Sequence, residues 1–194
     1  MAVQVQTDRH RFSVDEYNKM VESGILPEDA RVELIEGEIV DMAPIGLRHA
    51  QCVNNLSWLL SDLLPGKARV QVQNPVQLDQ YSQVQPDVTL LRFRDYTRDR
   101  QHLGPADVLL AVEVSDTTLI KDRQLKLPLY AQAGIPEVWI VNIQQERIEV
   151  HSQPEGGAYK TVRRLRRGQS VAVPGFAEAK VKVDEVLGPQ QDQL

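Results

Sequence analysis

The stretch "LLAVEVSDTTLIKDRQLKLPLYAQAGIPEVWIV", Leu109 to Val141, decides the fold, because its pattern predicts a strand, a helix and a strand in succession. The run "DVLLAVEVS" is apolar enough for a strand buried on both faces. Gly134 ends the helix that follows, and "EVWIVNI" is the next strand. Glu113 stands inside the first apolar run, where a carboxylate is rare unless another group offsets its charge. This position raises the question of what that group is.

Patterns on both sides of this stretch predict further helices and strands. From Leu47 to Leu64, apolar residues recur at the spacing of an amphipathic helix, which ends at "LPG". Strand-like runs follow at "ARVQVQNPVQLD" and "VQPDVTLLRF", and later at "RIEVHS" and "AYKTVRRL". Near the N-terminus, "SVDEYNKMVES" begins a helix capped by Ser13 and Glu16, and "RVELIEGEIVDMAP" predicts a β-hairpin that turns near "EG". We therefore expect an α/β (α+β) fold, a central mixed β-sheet flanked by helices, with an N-terminal hairpin and C-terminal strands.

Length and composition indicate one globular domain. The chain has 194 residues, of which 25% are charged and 42% hydrophobic, and its single cysteine cannot form an internal disulfide. We expect residues 12–186 to be ordered, 1–10 and 188–194 to be flexible, and the protein to be cytoplasmic, without a membrane segment. The net charge of −5 excludes a broadly basic surface but permits a local basic cleft.

Two acidic residues stand where strands begin or end. Asp87 follows Pro86 at the start of "DVTLL", and Glu113 lies near the end of the most apolar strand. Neighbouring strands lie about 4.8 Å apart, so pairing of these strands would aim both carboxylates into one cleft. A Mg²⁺ ion there would relieve their repulsion. The alternative is that Asp87 caps a turn and Glu113 pairs with a lysine or arginine.

The helix after Glu113 supplies a basic side chain. Asp122, Lys126 and Tyr130 are four residues apart and share one helix face. A helix that packs back across the sheet would place Lys126 near the two acids, where it could orient or activate a water. Lys121 is rotated by about 140° from that face in a regular α-helix, so we expect it to lie elsewhere. The alternative is an ordinary surface pair between Asp122 and Lys126, with Tyr130 as packing.

The motif "PD" at Pro86–Asp87, followed by Glu113 in "VEVS", resembles the PD-(D/E)XK signature of restriction-endonuclease-like nucleases. Ser115 stands where that signature has lysine, and Lys126 fits a lysine moved onto the next helix. The stretch "EVSDTTLIKDRQLKLPLYAQAGIPEVWIV", with the hairpin "VELIEGEIVDMAP" and "RHA", resembles the Uma-type family of endonucleases over residues 12–186.

The resemblance implies a restriction-endonuclease-like core that hydrolyses phosphodiester bonds, with DNA as the expected nucleic acid. Asp87 and Glu113 would be ligands of Mg²⁺, for which Mn²⁺ could substitute, and Lys126 would be the catalytic lysine. Asp122 and Tyr130 would fix Lys126 and the helix. The analogy also suggests a two-fold homodimer that serves both strands of a duplex.

Three further residues are candidates for the same site. The resemblance favours Glu38 or Glu33 to complete it, against the alternative that these hairpin carboxylates face solvent. His49, in "LRHAQ", opens a helix where the family also has histidine, and it could contact a phosphate or a metal-bound water. The alternatives for His49 are helix capping or plain exposure.

A non-catalytic binding or regulatory module that retains the nuclease fold is the alternative function. The acidic net charge favours it mildly, because a nucleic-acid-binding face would need local clustering of basic residues. An arginine-rich strand could also be a solvated sheet edge that discourages edge pairing. The candidate cations fall into two runs: Arg92, Arg94, Arg98 and Arg100, and then Arg163, Arg164, Arg166 and Arg167.

Overall fold

The computed structural model describes residues 9–27, 29–94, 96 and 103–190, which contain three β-sheets and the helices around them. The strands are β1 (Val32–Ile35), β2 (Glu38–Asp41), β3 (Ala68–Val72), β4 (Val76–Gln77), β5 (Gln83–Val84), β6 (Val88–Arg92), β7 (Val108–Ser115), β8 (Glu137–Asn142), β9 (Arg147–Glu155), β10 (Ala158–Arg166), β11 (Ser170–Val173) and β12 (Phe176–Lys182). The helices are α1 (Val14–Glu22), α2 (Leu47–Leu63), α3 (Leu119–Lys121), α4 (Leu127–Gln132) and α5 (Val183–Leu187), and a π-helical turn (Asp122–Lys126) joins α3 to α4.

The central sheet has six strands in the order β10-β9-β8-β7-β6-β3. Its neighbours are antiparallel except for β7 and β8, which run parallel because the α3–α4 segment crosses over between them. The strand, helix and strand predicted from Leu109 to Val141 are therefore confirmed, and so is the mixed sheet flanked by helices. The predicted strand pair at the C-terminal end is also present, as β9 and β10.

The two faces of the central sheet bury different cores, because successive strand residues point to opposite sides. On β7, Leu110 and Val112 pack with α2 and the β11–β12 pair, around the fully buried Trp139. Ala111, on the other face, packs beneath α4 with Tyr130. The strand is thus buried on both faces, as its apolar run predicts, and Glu113 lies on the face that α4 covers.

The N-terminal hairpin forms as the sequence predicts and covers the edge of the site. Glu36 and Gly37 have φ angles of 50° and 85°, which a two-residue type I′ turn requires. A Cβ at Gly37 would lie 2.7 Å from the Cβ of Arg11, so this turn also needs glycine for space. Strand β1 pairs with β5 in a separate four-stranded sheet and is buried throughout, which carries Glu33 into the interior.

The segment predicted as one helix is interrupted by the π turn. The N–H of Leu127 donates to the carbonyl of Asp122, five residues earlier. Pro128 has no N–H for the carbonyl of Gln124, so a regular α-helical ladder is already broken here. The interruption takes the form of a widened turn, which in other proteins is frequent at functional sites.

Some expectations concern parts of the chain outside the described residues, namely Arg98, Arg100 and most of the two ends predicted to be flexible. Within the described ranges, none of the helices has both the length and the apolar character needed to cross a membrane.

A candidate active site at the end of β7

Strands β6 and β7 pair, and their register brings the two predicted acids together. Val88 lies opposite Val112, so Asp87, one residue before β6, lies beside Glu113. The main-chain N–H of Val114 donates to Asp87 Oδ2 over 2.8 Å. Both carboxylates line a cleft of about 320 Å³ that opens between the end of β7, the start of α2 and the hairpin.

Asp87 is held in its ionised form by three donors. His49 Nε2 lies 3.0 Å from Oδ2, the Gln73 amide donates to Oδ1 over 3.2 Å, and Val114 supplies the N–H described above. Burial raises the pKa of Asp87, but these hydrogen bonds and the nearby imidazole outweigh it and bring the pKa below its ordinary value. His49 therefore contacts an acid of the site directly.

Glu113 forms an ion pair with Lys126 and accepts a hydrogen bond from Tyr130. Lys126 Nζ lies 3.2 Å from Glu113 Oε1 and 2.7 Å from Glu33 Oε1, and the Tyr130 hydroxyl donates to Glu113 Oε1 over 2.5 Å. Only 4% of Lys126 is exposed, so the alternative of a surface pair with Asp122 is wrong. Glu113 does pair with a basic residue, as the alternative interpretation of this position predicted. This ion pair explains why the carboxylate is tolerated in its strand.

The protonation states of this group follow from its environment. Burial raises the pKa of Glu113 well above its ordinary value against the opposing effect of Lys126, and the neighbouring acids raise it further. Burial alone would lower the pKa of Lys126, but Glu113 and Glu33 raise it overall. Burial, with Glu113, also raises the pKa of Tyr130. Lys126 is therefore a fixed positive charge and Tyr130 a fixed hydrogen-bond donor at neutral pH, and neither is a general base.

Asp122 attaches the helical segment to the end of β7. Its Oδ2 accepts hydrogen bonds from the hydroxyls of Ser115 and Thr118, each over 2.7 Å. Burial raises the pKa of Asp122 although these hydrogen bonds lower it. Ser115, which stands where the nuclease signature has lysine, thus anchors the segment that carries Lys126.

Of the two hairpin glutamates, the structure brings Glu33 to the cleft and leaves Glu38 outside it. Glu33 is 1% exposed, and its Oε1 also accepts from the N–H of Gln85 over 2.8 Å. Its Oε2 has no hydrogen-bond partner among the described residues. Glu38 is exposed on β2 and pairs with Arg9 over 3.5 Å. The solvent-facing alternative is therefore correct for Glu38 and wrong for Glu33.

Lys121 also lines the cleft, which corrects the prediction that it lies elsewhere. Its Nζ donates to the carbonyl of Asp41 over 2.9 Å and lies 3.8 Å from Glu33 Oε2. A π turn closes its hydrogen bonds over five residues, so side chains five apart, such as Lys121 and Lys126, come closer to one face than in an α-helix. The sequence prediction assumed the regular α-helical rotation.

The donor set suits a magnesium site that is rich in water. Among the described residues, no three histidine, cysteine, aspartate or glutamate side chains form a cluster that could hold a metal ion by themselves. Mg²⁺ usually takes only one or two protein carboxylates, together with waters and substrate phosphate oxygens. Asp87 and Glu113 meet that requirement, and Oε2 of Glu33, which accepts no hydrogen bond from the described residues and lies 3.8 Å from Lys121, is a further acceptor in the same cleft.

A second ionic group fixes the helical segment from the far side. Arg123, in the π turn, donates from its Nε to the buried Glu149 of β9 over 3.1 Å. Arg147 donates to the same carboxylate over 2.9 Å. Burial raises the pKa of Glu149, but the two arginines outweigh it and lower the pKa below its ordinary value. Sequence reasoning missed this group, because it depends on the pairing of β8 with β9.

Glu149→Gln should lower the free energy of unfolding by about 1.5–3 kcal/mol at pH 7, the range for hydrogen bonds to charged groups. A carboxyl whose folded-state pKa is lowered contributes stability above its unfolded pKa, about 4.3, and loses it as the pH falls through the folded value. Urea unfolding should therefore show a difference between variant and wild type that is full at pH 7 and shrinks below pH 4. Glu178→Gln, at an exposed position on β12, is the control and should change little. A pH-independent difference would contradict the ionic role of Glu149.

Together, the mixed sheet and the acid–acid–lysine cleft define a restriction-endonuclease-like fold. The model of the Uma2 family, described as "Putative restriction endonuclease", matches residues 14–184, and the chain belongs to this family. The resemblance found in the sequence is thereby confirmed.

The structure is also similar to a crystal structure described as a "putative nuclease" from Anabaena variabilis ATCC 29413. The two match with a TM-score of 0.70 and 16% sequence identity, over 91% of this chain and 97% of that chain. This likeness shows a shared fold. No curated protein matches the sequence.

Proposed function

We propose that the protein is a metal-dependent nuclease that hydrolyses phosphodiester bonds, with DNA as the substrate and Mg²⁺ or Mn²⁺ as the metal. The observation that carries the proposal is the buried ammonium of Lys126, held between Glu33 and Glu113 at the wall of the cleft that Asp87 also lines. A buried cation beside acids in a cleft is an arrangement that favours charge stabilisation in a reaction. Membership of the family supports the same reaction class.

Each residue has a separate part in the proposed reaction. Asp87 and Glu113 would hold Mg²⁺, which supplies positive charge and a water of lowered pKa when bound. His49 and Gln73 keep Asp87 ionised and oriented. Lys126 presents a positive charge to the phosphate that gains charge in the transition state.

Three other side chains keep Lys126 and Glu113 in place. Tyr130 fixes one oxygen of Glu113 by its hydroxyl, and Glu33 fixes the ammonium of Lys126. Asp122 holds the start of the helical segment against Ser115. These contacts act by positioning, because none of the three needs to exchange a proton during the reaction.

A non-catalytic binding module is the second candidate function. It is favoured by one observation: Lys126 already neutralises Glu113, so the fold needs no metal to satisfy this carboxylate. The homodimer and the cytoplasmic location stay predictions.

The decisive experiment is a cleavage assay on supercoiled plasmid and on labelled single-stranded and duplex DNA and RNA. We expect cleavage of DNA with Mg²⁺ or Mn²⁺, and none after addition of EDTA. Excess Mg²⁺ added after EDTA should restore the activity, which separates metal dependence from inactivation. If no substrate is cut with either metal while the protein stays folded, the binding-module function takes over.

A further inference from the structure

The strand registers show which arginines of β10 share a sheet face with Glu113. Glu113 lies opposite Ile140 of β8, Ile140 opposite Glu149 of β9, and Glu149 opposite Arg164 of β10. Directly opposed residues of neighbouring strands point to the same face. Arg164 therefore belongs to the face that carries Glu113.

A second set of directly opposed residues across β8, β9 and β10 lies on the same face and also ends in an arginine. Asn142 lies opposite Arg147, and Arg147 lies opposite Arg166. Arg163 lies opposite Val150, which is in the core on the other side of the sheet. The run that looks continuous in sequence is thus divided, with Arg164 and Arg166 on the face of the candidate site and Arg163 on the opposite face.

Four arginines on this face carry an excess of positive charge. Arg123 and Arg147 share the single carboxylate of Glu149. Arg164 and Arg166 are exposed, and within the described part of the chain neither has an acidic partner. Among the described residues, these four guanidinium groups have between them the carboxylate of Glu149 as their acidic partner, while Glu113 on the same face is paired with Lys126, on a protein whose net charge is −5. We call Arg123, Arg147, Arg164 and Arg166 the basic face.

The basic face lies close to the cleft on the scale of a nucleic acid. Three strand spacings separate Glu113 from Arg164, which is about 14 Å at ~4.8 Å per strand. Successive phosphates of one DNA strand advance by about 3.4 Å along the helix axis. The helical segment of residues 119–132 packs between the two places, so a nucleic acid that reaches both has to pass over this segment and needs more than the roughly four nucleotides of the direct path.

We propose that the basic face binds backbone phosphates of the nucleic acid whose reacting phosphate occupies the cleft. This inference rests on the proposed nuclease function and adds where the flanking part of the substrate lies. Arginine suits the role because its planar guanidinium recognises phosphate with two hydrogen bonds. Such contacts set position and affinity without reading the sequence.

A second copy of the chain fits this surface less well. Strand β10 is the outer strand of the central sheet in the described residues, so its edge could in principle pair with another β10. Antiparallel pairing of two such edges would bring several arginines close to one another, and like charges across a strand pair are destabilising. The charge pattern therefore favours a polyanion.

The test measures binding without cleavage, on wild-type protein in EDTA. The dissociation constant for a labelled duplex DNA is recorded as a function of NaCl concentration, with single-stranded DNA and RNA as further arms. For duplex DNA, the double variant Arg164→Ala/Arg166→Ala should reduce the slope of log K against log salt by roughly 2, about 0.9 for each lost phosphate contact. Its affinity at low salt should fall at least about tenfold.

Arg163→Ala is the control, since it removes one positive charge from the same strand on the opposite face, and it should stay near wild type, whereas Arg164→Ala and Arg166→Ala alone should each show about half of the slope change of the double variant. Unchanged affinity and slope in the double variant, equal loss in Arg163→Ala, or no binding of any nucleic acid would each overturn the inference. If the double variant dimerises and still binds DNA as wild type does, the arginines prevent pairing of the β10 edge with a second copy and do not bind phosphate.

Cleavage by the same proteins separates this inference from the nuclease proposal. If wild type cuts DNA and the double variant binds and cuts it equally well, the proposed role of the basic face is wrong, while the proposed nuclease function is supported. If binding depends on Arg164 and Arg166 but no substrate is cut, the phosphate-binding role of the basic face is supported and the proposed nuclease function is wrong.

Discussion

Lys126→Ala should lower the rate of phosphodiester cleavage at least about a hundredfold, roughly 2.7 kcal/mol of transition-state stabilisation. Ser115 cannot supply a positive charge, and Lys126 is the buried cation beside Glu113 and Glu33. The loss should be in kcat, measured under saturating DNA, because the ammonium acts on charge that develops during the reaction. Mn²⁺ binding should survive, since an ammonium ion is not a metal ligand.

Two further variants show whether the loss is chemical. Lys126→Met keeps the aliphatic stem, and the already raised pKa of Glu113 lets this carboxyl take up a proton when its partner is lost, so the variant should fold. It should be as inactive as Lys126→Ala, with thermal unfolding as the check on folding. Lys121→Ala should lose much less, because its Nζ bonds mainly to the carbonyl of Asp41. A larger loss in Lys121→Ala than in Lys126→Ala would show that the lysines are wrongly assigned.

Asp87→Asn and Glu113→Gln should each abolish measurable Mn²⁺ binding in a calorimetric titration, because each removes one of two ligand charges. Glu38→Gln is the matched control, since this carboxylate is exposed and pairs with Arg9 outside the cleft. It should bind Mn²⁺ as wild type does. Unchanged affinity in both Asp87→Asn and Glu113→Gln would rule out the metal site.

The same two variants should differ in stability without metal. The pKa of Asp87 is lowered, so its ionised form stabilises the fold above pH ~3.9, the unfolded value, and Asp87→Asn should lower the melting temperature. Asparagine has one side-chain oxygen in place of two, so if that oxygen stays toward Val114 and His49, its NH₂ group faces the donating amide of Gln73 and that hydrogen bond is lost. The pKa of Glu113 is raised by burial, so Glu113→Gln should not lower the melting temperature at neutral pH.

Local patterns predict the strand, helix and strand of residues 109–141, the N-terminal hairpin and part of the site, but not β11, β12 and α5. The spacing of Asp122, Lys126 and Tyr130 and the apolar run around Glu113 are properties of short segments, so periodicity finds them. Glu33 was one of two open choices, because the pairing of β1 with β5 that carries it inward is a long-range contact. No sequence pattern identified Gln73 as a partner of Asp87. Its contact depends on the backbone at Gln73, which has a φ of 51° and whose N–H donates to the carbonyl of Asp87.

The arginine run shows a second limit of sequence reasoning. A count of basic residues treats Arg163 and Arg164 alike, whereas the alternation of a strand sends them to opposite faces. Arg167, from the same run, bonds to Glu146 over 2.9 Å and is not available for a ligand. Assigning such residues requires the register of β9 and β10, which depends on the whole sheet.

The π turn gives chain length a part in the site beside residue identity. It holds one residue more than an α-helical turn, and it stands between Ser115, which anchors Asp122, and Tyr130, which contacts Glu113. Five residues of a π turn rotate the chain about as far as four residues of an α-helix, so loss of one residue there would leave the helix beyond it close to its present rotation. The same loss in the regular helix between Lys126 and Tyr130 would rotate Tyr130 by about 100° away from Glu113.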